Sequence, residues 1–121
     1  MYVEGSEKAF VAATDLVNGT IVKLDANGKI VAATAATDNF LGVINSDVKT
    51  GFATSVRLRS CAGTLHVKTS AAVAKDAAIT STAAGLAVTT TTAGNQILGY
   101  ALRAVGAAGL FVEVMPTTAK Y

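Results

Sequence analysis

Two short apolar runs, one in each half of the chain, constrain its fold most strongly. Residues 40–44 read FLGVI and residues 97–101 read ILGYA, so that each run carries a central Leu-Gly pair. Each run is followed by a loop and a second apolar run, at residues 55–58 and 110–114. A glycine inside such a run indicates a bulge or a strand whose backbone lies close to another backbone. We therefore expect two copies of one β unit, approximately residues 16–59 and 73–115.

The alignment of the two copies extends beyond these runs. When the chain is aligned with itself so that Gly42 coincides with Gly99, Gly28 coincides with Gly85. Past the following loop this offset is expected to shrink by one position, which aligns residues 56–58 (VRL) with residues 112–114 (VEV). One such unit would expose an apolar face, whereas two can close on each other. The sequence therefore predicts an all-β fold, a small barrel or sandwich built from two similar halves.

Turn signals and alternating residues predict the hairpins. Asn18-Gly19 and the DANG sequence at 25–28 favour turns, and β-branched residues flank the second turn, so residues 20–24 and 29–31 are expected to pair. The same pattern at residues 76–79 and 86–91 predicts the corresponding hairpin of the second copy. Alternation over residues 52–59 and 64–68, around Ala62-Gly63, predicts a further hairpin. Pro116 is expected to end the last strand.

The domain organisation is expected to be simple. Residues 10–121 are interpreted as one β domain and residues 1–9 as a flexible N-terminal arm, which either frays or adds a strand to a partner's sheet. No apolar run reaches the length of a membrane span, and the acidic N-terminus argues against a signal peptide. The net charge of +2, without clustered basic residues, argues against nucleic-acid binding.

Composition leaves two interpretations open. Charged residues make up 15% of the chain and tryptophan is absent, so few long side chains remain to solvate a surface. The chain is either a compact Ala-rich domain or a subunit whose surface is largely covered by other copies or by a partner.

The sequence offers no constellation for catalysis, a metal or a cofactor. His66 is the single histidine and has no Cys or His neighbour at metal-ligand spacing, and Cys61 lies at an expected turn with no histidine base. We therefore expect no enzyme activity, no cofactor and no metal. Arg57 and Arg59 share one strand face, which is either a solvated outer face or a binding face.

Several short motifs together carry a family resemblance. They are KLD at residues 23–25, KIVA at 29–32, LGVI at 41–44, SVRL at 55–58 and GTL at 63–65. The chain resembles the head decoration (capsid cement) proteins of tailed bacteriophages, including the lambda-type decoration protein and related cement families. The resemblance implies a β-tulip-like fold and homotrimers on the outer surface of the virion capsid, where they stabilise the head against internal DNA pressure. It also implies a major capsid protein of the HK97-like fold as partner, with assembly in the bacterial host cytoplasm.

The resemblance also implies a capsid-binding region. In such proteins the N-terminal segment commonly reaches onto the capsid and adds a strand there. The corresponding residues of this chain are Met1, Tyr2, Val3, Glu4, Lys8 and Phe10.

Two other functions remain as alternatives. The chain could be another virion structural module, such as a tail-tube or fibre module. It could also be a biotinyl- or lipoyl-type carrier domain, because those domains are small duplicated β structures with a functional lysine at a hairpin turn. Lys29 directly follows such a turn.

Overall fold

The protein folds into ten β-strands in two sheets. The structure is a computed structural model that describes residues 7–59 and 64–117, and these residues contain no helix. The strands of the first sheet are β1 (Glu7–Val11), β2 (Ile21–Leu24), β3 (Ile30–Ala32), β4 (Gly42–Ile44) and β5 (Ala53–Leu58). Those of the second sheet are β6 (Leu65–Lys68), β7 (Ala78–Ser81), β8 (Ala87–Thr89), β9 (Gly99–Ala101) and β10 (Phe111–Pro116). The predicted all-β fold with two similar halves is confirmed.

The two sheets share one topology. The first has the order β1-β5-β4-β2-β3 and the second has the order β6-β10-β9-β7-β8, with every strand pair antiparallel. Each strand of the first sheet thus has a counterpart at the same place in the second. We call residues 7–59 the first lobe and residues 64–117 the second lobe.

Each sheet curls until its two edges meet. A parallel bridge joins Ala12, just after edge strand β1, to Ile30 of edge strand β3. The counterpart bridge joins Thr69 to Ala87 in the second lobe. The edges meet at this one point, so each lobe resembles a small, incompletely closed barrel.

Structural equivalence holds at the level of single residues. The offset that aligns Gly42 with Gly99 also places β2, β3 and β4 on β7, β8 and β9. After the next loop, however, the offset grows by one position, because Val56 lies opposite Ile44 whereas Val114 lies opposite Ala101. The expected decrease was wrong, and the loop lengthens instead of shortening. Val112 and Val114 point to the same face, so a slip of two residues leaves the apolar pattern unchanged and only the pairing fixes the register.

The hairpins formed by β2 with β3 and by β7 with β8 are confirmed. In the first turn the Asp25 carboxylate accepts bonds from the backbone N–H groups of Asn27 and Lys29 at 2.8 and 2.9 Å. In the second turn the Thr82 hydroxyl accepts the two equivalent bonds. Gly28 and Gly85 take the positive φ that each turn requires.

The hairpin expected around Ala62-Gly63 is wrong. Strand β5 pairs with β1 on one side and β4 on the other, and β6 pairs with β10 in the second sheet. Both edges of β5 are therefore occupied within the first lobe, so β6 starts the next lobe. Residues 60–63 lie outside the described residues.

The buried side chains form two clusters. One fills the first lobe and includes Leu16, Val22, Ile44 and Val56. The other fills the second lobe but also contains residues from the first lobe. These are Ile21, Ala33, Phe40 and Val43. Ile21 and Val43 point away from the first-lobe core, so the outer face of the first sheet covers the core of the second lobe.

Candidate functional site

The structure places the last part of the expected arm within a sheet. Strand β1 begins at Glu7 and pairs with β5 from Glu7 opposite Arg57 to Val11 opposite Ala53. Lys8 and Phe10 are half-buried on one side of β1, with Lys8 Nζ 5.3 Å from the centre of the Phe10 ring. The other expected site residues lie outside the described residues. They are Met1, Tyr2, Val3 and Glu4.

Lys8 and Phe10 line an open cleft of about 590 Å³ in the first lobe. It lies between edge strand β1 and the turn from β2 to β3, where the edges of the sheet have not met. We call it the first-lobe cleft. Its lining residues are Lys8, Ala9, Phe10, Val11, Asn27, Gly28, Lys29 and Ala53. Lys8 over the Phe10 ring and a second lysine, Lys29, in the lining give the cleft the chemistry to accept an apolar or acidic surface.

A second exposed surface lies on the outer face of the second sheet. Tyr100 on β9 and Met115 on β10 are cross-strand neighbours that are 41% and 54% exposed. Ala78 on β7 is the other neighbour of Tyr100 on this face and is itself buried, and Asp76 precedes it in an exposed turn. We call these four residues the second-lobe face. Exposed large apolar side chains that adjoin each other are typical of an interaction surface.

Arg57 on β5 and Arg59 directly after it both contact the second lobe, and for Arg59 neither a solvated outer face nor a binding face is correct, because it is buried. Arg57 Nε donates to Thr64 O at 2.7 Å. Arg59 is 6% exposed, and its guanidinium donates to Thr117 O at 2.8 Å and to Ile97 O at 2.7 Å. Arg59 therefore does not form a solvated face, whereas Arg57 is half-buried and uses its Nε on a second-lobe carbonyl group. Burial lowers the pKa of Arg59.

One carboxylate organises the loop between β3 and β4. Asp38 Oδ2 accepts bonds from Thr34 N at 2.7 Å and Ala35 N at 3.0 Å, and it pairs with Lys23 Nζ at 3.2 Å. Burial acts to raise the pKa of Asp38, but the hydrogen bonds and the lysine charge outweigh it and the pKa is lowered. Asp38 is therefore a structural anion.

No chemistry-bearing cluster accompanies these surfaces. Within residues 7–59 and 64–117, no group of three or more His, Cys, Asp or Glu side chains could hold a metal ion. His66 lies on the outer face of β6, with Nε2 3.9 Å from Glu113 Oε2. Nor does any helix among the described residues have the length and hydropathy needed to cross a membrane.

Sequence reasoning missed the second-lobe face and the place of Lys29. The sequence suggests for Lys29 only the role of a carrier lysine, whereas in the structure it lines the first-lobe cleft together with Lys8 and Phe10. A signal for the second-lobe face was present in β10, where Phe111 and Met115 alternate with the buried Val112 and Val114. A strand that is apolar on both faces is buried on both or faces a partner.

Comparison with known proteins gives a fold relationship but no sequence relationship. No protein-family model matches the sequence, and no curated protein sequence matches it. The structure is similar to the crystal structure of the N base of head fibre gp8.5 of bacteriophage phi29, with a TM-score of 0.76. The match covers 95% of this chain and 96% of the fibre base at 19% sequence identity. The likeness shows a shared fold over nearly the whole of both chains.

Proposed function

We propose that this chain is a structural protein of a tailed-phage virion that binds the outer surface of the head as trimers. The observation that carries the proposal is the fold shared with a phage head-fibre base over 95% of this chain. The motif resemblance to capsid decoration proteins points to the same surface from independent evidence. The partner is a major capsid protein of the HK97-like fold, and the role is structural, without catalysis or a cofactor.

The exposed surface of the chain supports this role. Nine large apolar side chains among the described residues are at least 37% exposed, and Phe52 reaches 68%. A trimer that bridges several capsid subunits binds tightly even through modest contacts, because the second and third contacts are intramolecular. In this role copies of the chain and the capsid cover much of the apolar surface.

The N-terminal segment is the proposed capsid contact. Residues 1–6 lead directly into β1, which is an edge strand of the first sheet. Met1, Tyr2, Val3 and Glu4 would add a strand to the capsid surface. Lys8 and Phe10, although they belong to the same proposed region, lie in the first-lobe cleft.

Binding to heads tests the proposal. The purified chain is incubated with expanded, DNA-free heads assembled from the major capsid protein of the same phage, and bound protein is measured by co-sedimentation. We expect saturable binding in multiples of three copies. Deleting residues 2–6 should abolish binding, whereas deleting residues 118–121 at the other terminus should not. Failure of the full chain to bind expanded heads would refute the proposal.

The fold relationship favours one second candidate, the base of a head fibre. A decoration protein should raise the temperature at which heads release DNA or fall apart. A fibre base should bind the same heads and leave that temperature unchanged. Measuring head disruption with and without the bound chain therefore separates the two functions.

A further inference from the structure

The contact between the two lobes follows a simple pattern. The outer face of the first sheet docks into the second lobe between the edge strand β6 and the turn from β7 to β8. Ile21 N donates to Gly85 O at 2.8 Å in this turn, and Lys68 N on β6 donates to Gly19 O at 3.0 Å. Val43, on the docking face, is completely buried.

Both halves of this contact are present a second time. The docking face recurs as the second-lobe face, since Ala78 and Tyr100 are the counterparts of Ile21 and Val43. The receiving site recurs as the first-lobe cleft, whose lining residues are the counterparts of second-lobe residues 65–68, 84–86 and 111. Among the described residues, the large side chains of the repeated face, Tyr100 and Met115, are 41% and 54% exposed, the small Ala78 beside them is buried, and the repeated cleft is open.

We infer that the second-lobe face of one copy docks into the first-lobe cleft of another copy, head to tail, by the same geometry that joins the lobes within one chain. The occupant of the cleft is a second copy of this chain. The chain already makes this contact once, between its own two lobes. Closure of this contact into a trimer rests on the proposed function.

Side-chain sizes on the two open surfaces are complementary. Within the chain, Gly19 lies against the Phe111 ring, with so little space that a Cβ on this glycine would fall 2.6 Å from a ring carbon. In the contact between copies the counterparts of Gly19 and Phe111 are Asp76 and Ala53. The larger residue thus faces the smaller one in both contacts. Asp76 has a φ of 65°, which matches the positive φ of Gly19.

Charge and aromatic character are complementary as well. In the contact between copies Tyr100 replaces Val43, and it meets Lys8 and Phe10, the counterparts of Leu65 and Val67. Tyr100 can stack on Phe10 and lie beneath the Lys8 ammonium group. Asp76 brings a negative charge towards Lys8 and Lys29. The open cleft carries an aromatic ring and positive charges, and its proposed occupant carries the matching aromatic ring, Tyr100, and negative charge, Asp76. The filled cleft carries Leu65 and Val67 and accepts the smaller, uncharged Val43 and Gly19.

The contact joins two different surfaces, so its symmetry is heterologous. Such a contact produces either a closed ring or an open filament. A closed ring of three copies would contain six lobes joined by six related contacts, three within chains and three between them. This ring is the form that agrees with the proposed trimer.

Two variants disable the two surfaces separately. Tyr100→Glu places a charge in the second-lobe face, and Ala53→Trp fills the first-lobe cleft. Each should weaken self-association by at least about tenfold, as expected when a charge or a bulky ring is placed at the centre of an interface. Phe52→Glu is the matched control, because its counterpart Leu110 stays 49% exposed beside the filled cleft. Mass is measured by light scattering after size exclusion, and circular dichroism checks folding.

Mixing the two variants tests the heterologous contact directly. Each variant keeps one intact surface, so the mixture should form a heterodimer of twice the 12.2 kDa chain mass and nothing larger. Wild type and Phe52→Glu should form trimers. A wild type that stays monomeric, or a variant mixture that does not pair, would overturn the inference. The inference would also be overturned if Ala53→Trp kept the mass of a trimer but no longer bound heads, because the cleft would then bind the capsid and not a second copy. Failure of a normal trimer to bind heads would refute only the proposed function.

Discussion

Arg59 shows how one charged side chain can join two halves of a small protein. It directly follows β5 in the first lobe, but its guanidinium donates to Gln96 Oε1, Ile97 O and Thr117 O of the second lobe. The guanidinium also lies 5.7 Å from the Phe40 ring. A buried arginine is tolerated only where its donors are satisfied, and here the carbonyl groups at the ends of two second-lobe segments satisfy them. Because the buried donors must be satisfied, these hydrogen bonds fix the position of the first lobe relative to the second.

Replacing Arg59 should therefore destabilise the fold. Arg59→Met retains much of the side-chain volume but removes the donors to Ile97 O and Thr117 O. We expect a loss of about 2–4 kcal/mol of unfolding free energy, because the hydrogen bonds from a charged group are lost and their carbonyl acceptors are left without these donors. The measurement is urea denaturation. Arg103→Met, at an exposed position, is the control. Equal midpoints for the two variants would contradict the role assigned to Arg59.

Asp38 should make stability depend on pH in the acid range. Its pKa is lowered in the folded chain, so it stabilises the fold above the unfolded-state value of about 3.9 and loses that contribution as pH falls through the folded value. Asp38→Asn should cost about 1–2 kcal/mol at pH 7, and the difference from wild type should shrink towards pH 2. Denaturation at several pH values measures this. A difference that is constant with pH would exclude the charge as its cause.

The two Leu-Gly runs become strands β4 and β9 because each must lie unusually close to its neighbour. A Cβ on Gly42 would overlap the Arg57 carbonyl group of β5, and one on Gly99 would overlap the Met115 carbonyl group of β10. The glycines therefore permit the close approach that the sequence pattern predicted.

Adding one methyl group to these strands should be costly. Gly42→Ala and Gly99→Ala should each destabilise by about 3 kcal/mol or more, since backbone has to move to make room. Gly106→Ala is the matched control: no atom lies within 4 Å of its added Cβ, and its φ is not positive. This variant should be neutral or slightly stabilising, because alanine restricts the unfolded chain. Thermal unfolding compares the three, and a tolerated Gly42→Ala would contradict the close approach.

The two lobes should behave as one cooperative unit. Ile21 and Val43 belong to the first lobe by sequence but to the second-lobe cluster by packing. The second lobe thus lacks a complete core without the outer face of the first sheet. Because the lobes share a cluster and the Arg59 contacts, neither should unfold while the other stays intact.

Ile21→Ala tests this cooperativity. The side chain is completely buried at the junction, and its truncation should cost about 2–5 kcal/mol. Calorimetry should still show one transition at a lower temperature, with equal calorimetric and van't Hoff enthalpies. Leu24→Ala, at a position 45% exposed on the same strand, should have a small effect. Two separate transitions in either the wild type or the Ile21 variant would contradict a single unit.

The sequence by itself determined the local structure of this protein. Turns at Asp25 and Thr82, the paired β-branched strands beside them and the glycines of β4 and β9 depend on backbone preferences over a few residues. Those preferences act wherever the segment is placed, and their recurrence at a constant offset along the chain predicted two similar halves. The motif resemblance added a virion surface as the expected place of action.

Only the tertiary structure decided which segments meet. The register of β10, the separation of β5 from β6, the burial of Arg59 and the cleft around Lys8 all depend on contacts between residues far apart in the chain. A slip of two residues leaves an alternating apolar pattern unchanged, so the pattern does not fix the register. Nor does the sequence pattern distinguish an arginine that faces water from one that is buried and hydrogen-bonded. Pairing and packing resolve these choices, because each depends on the groups that surround a residue after the chain has folded.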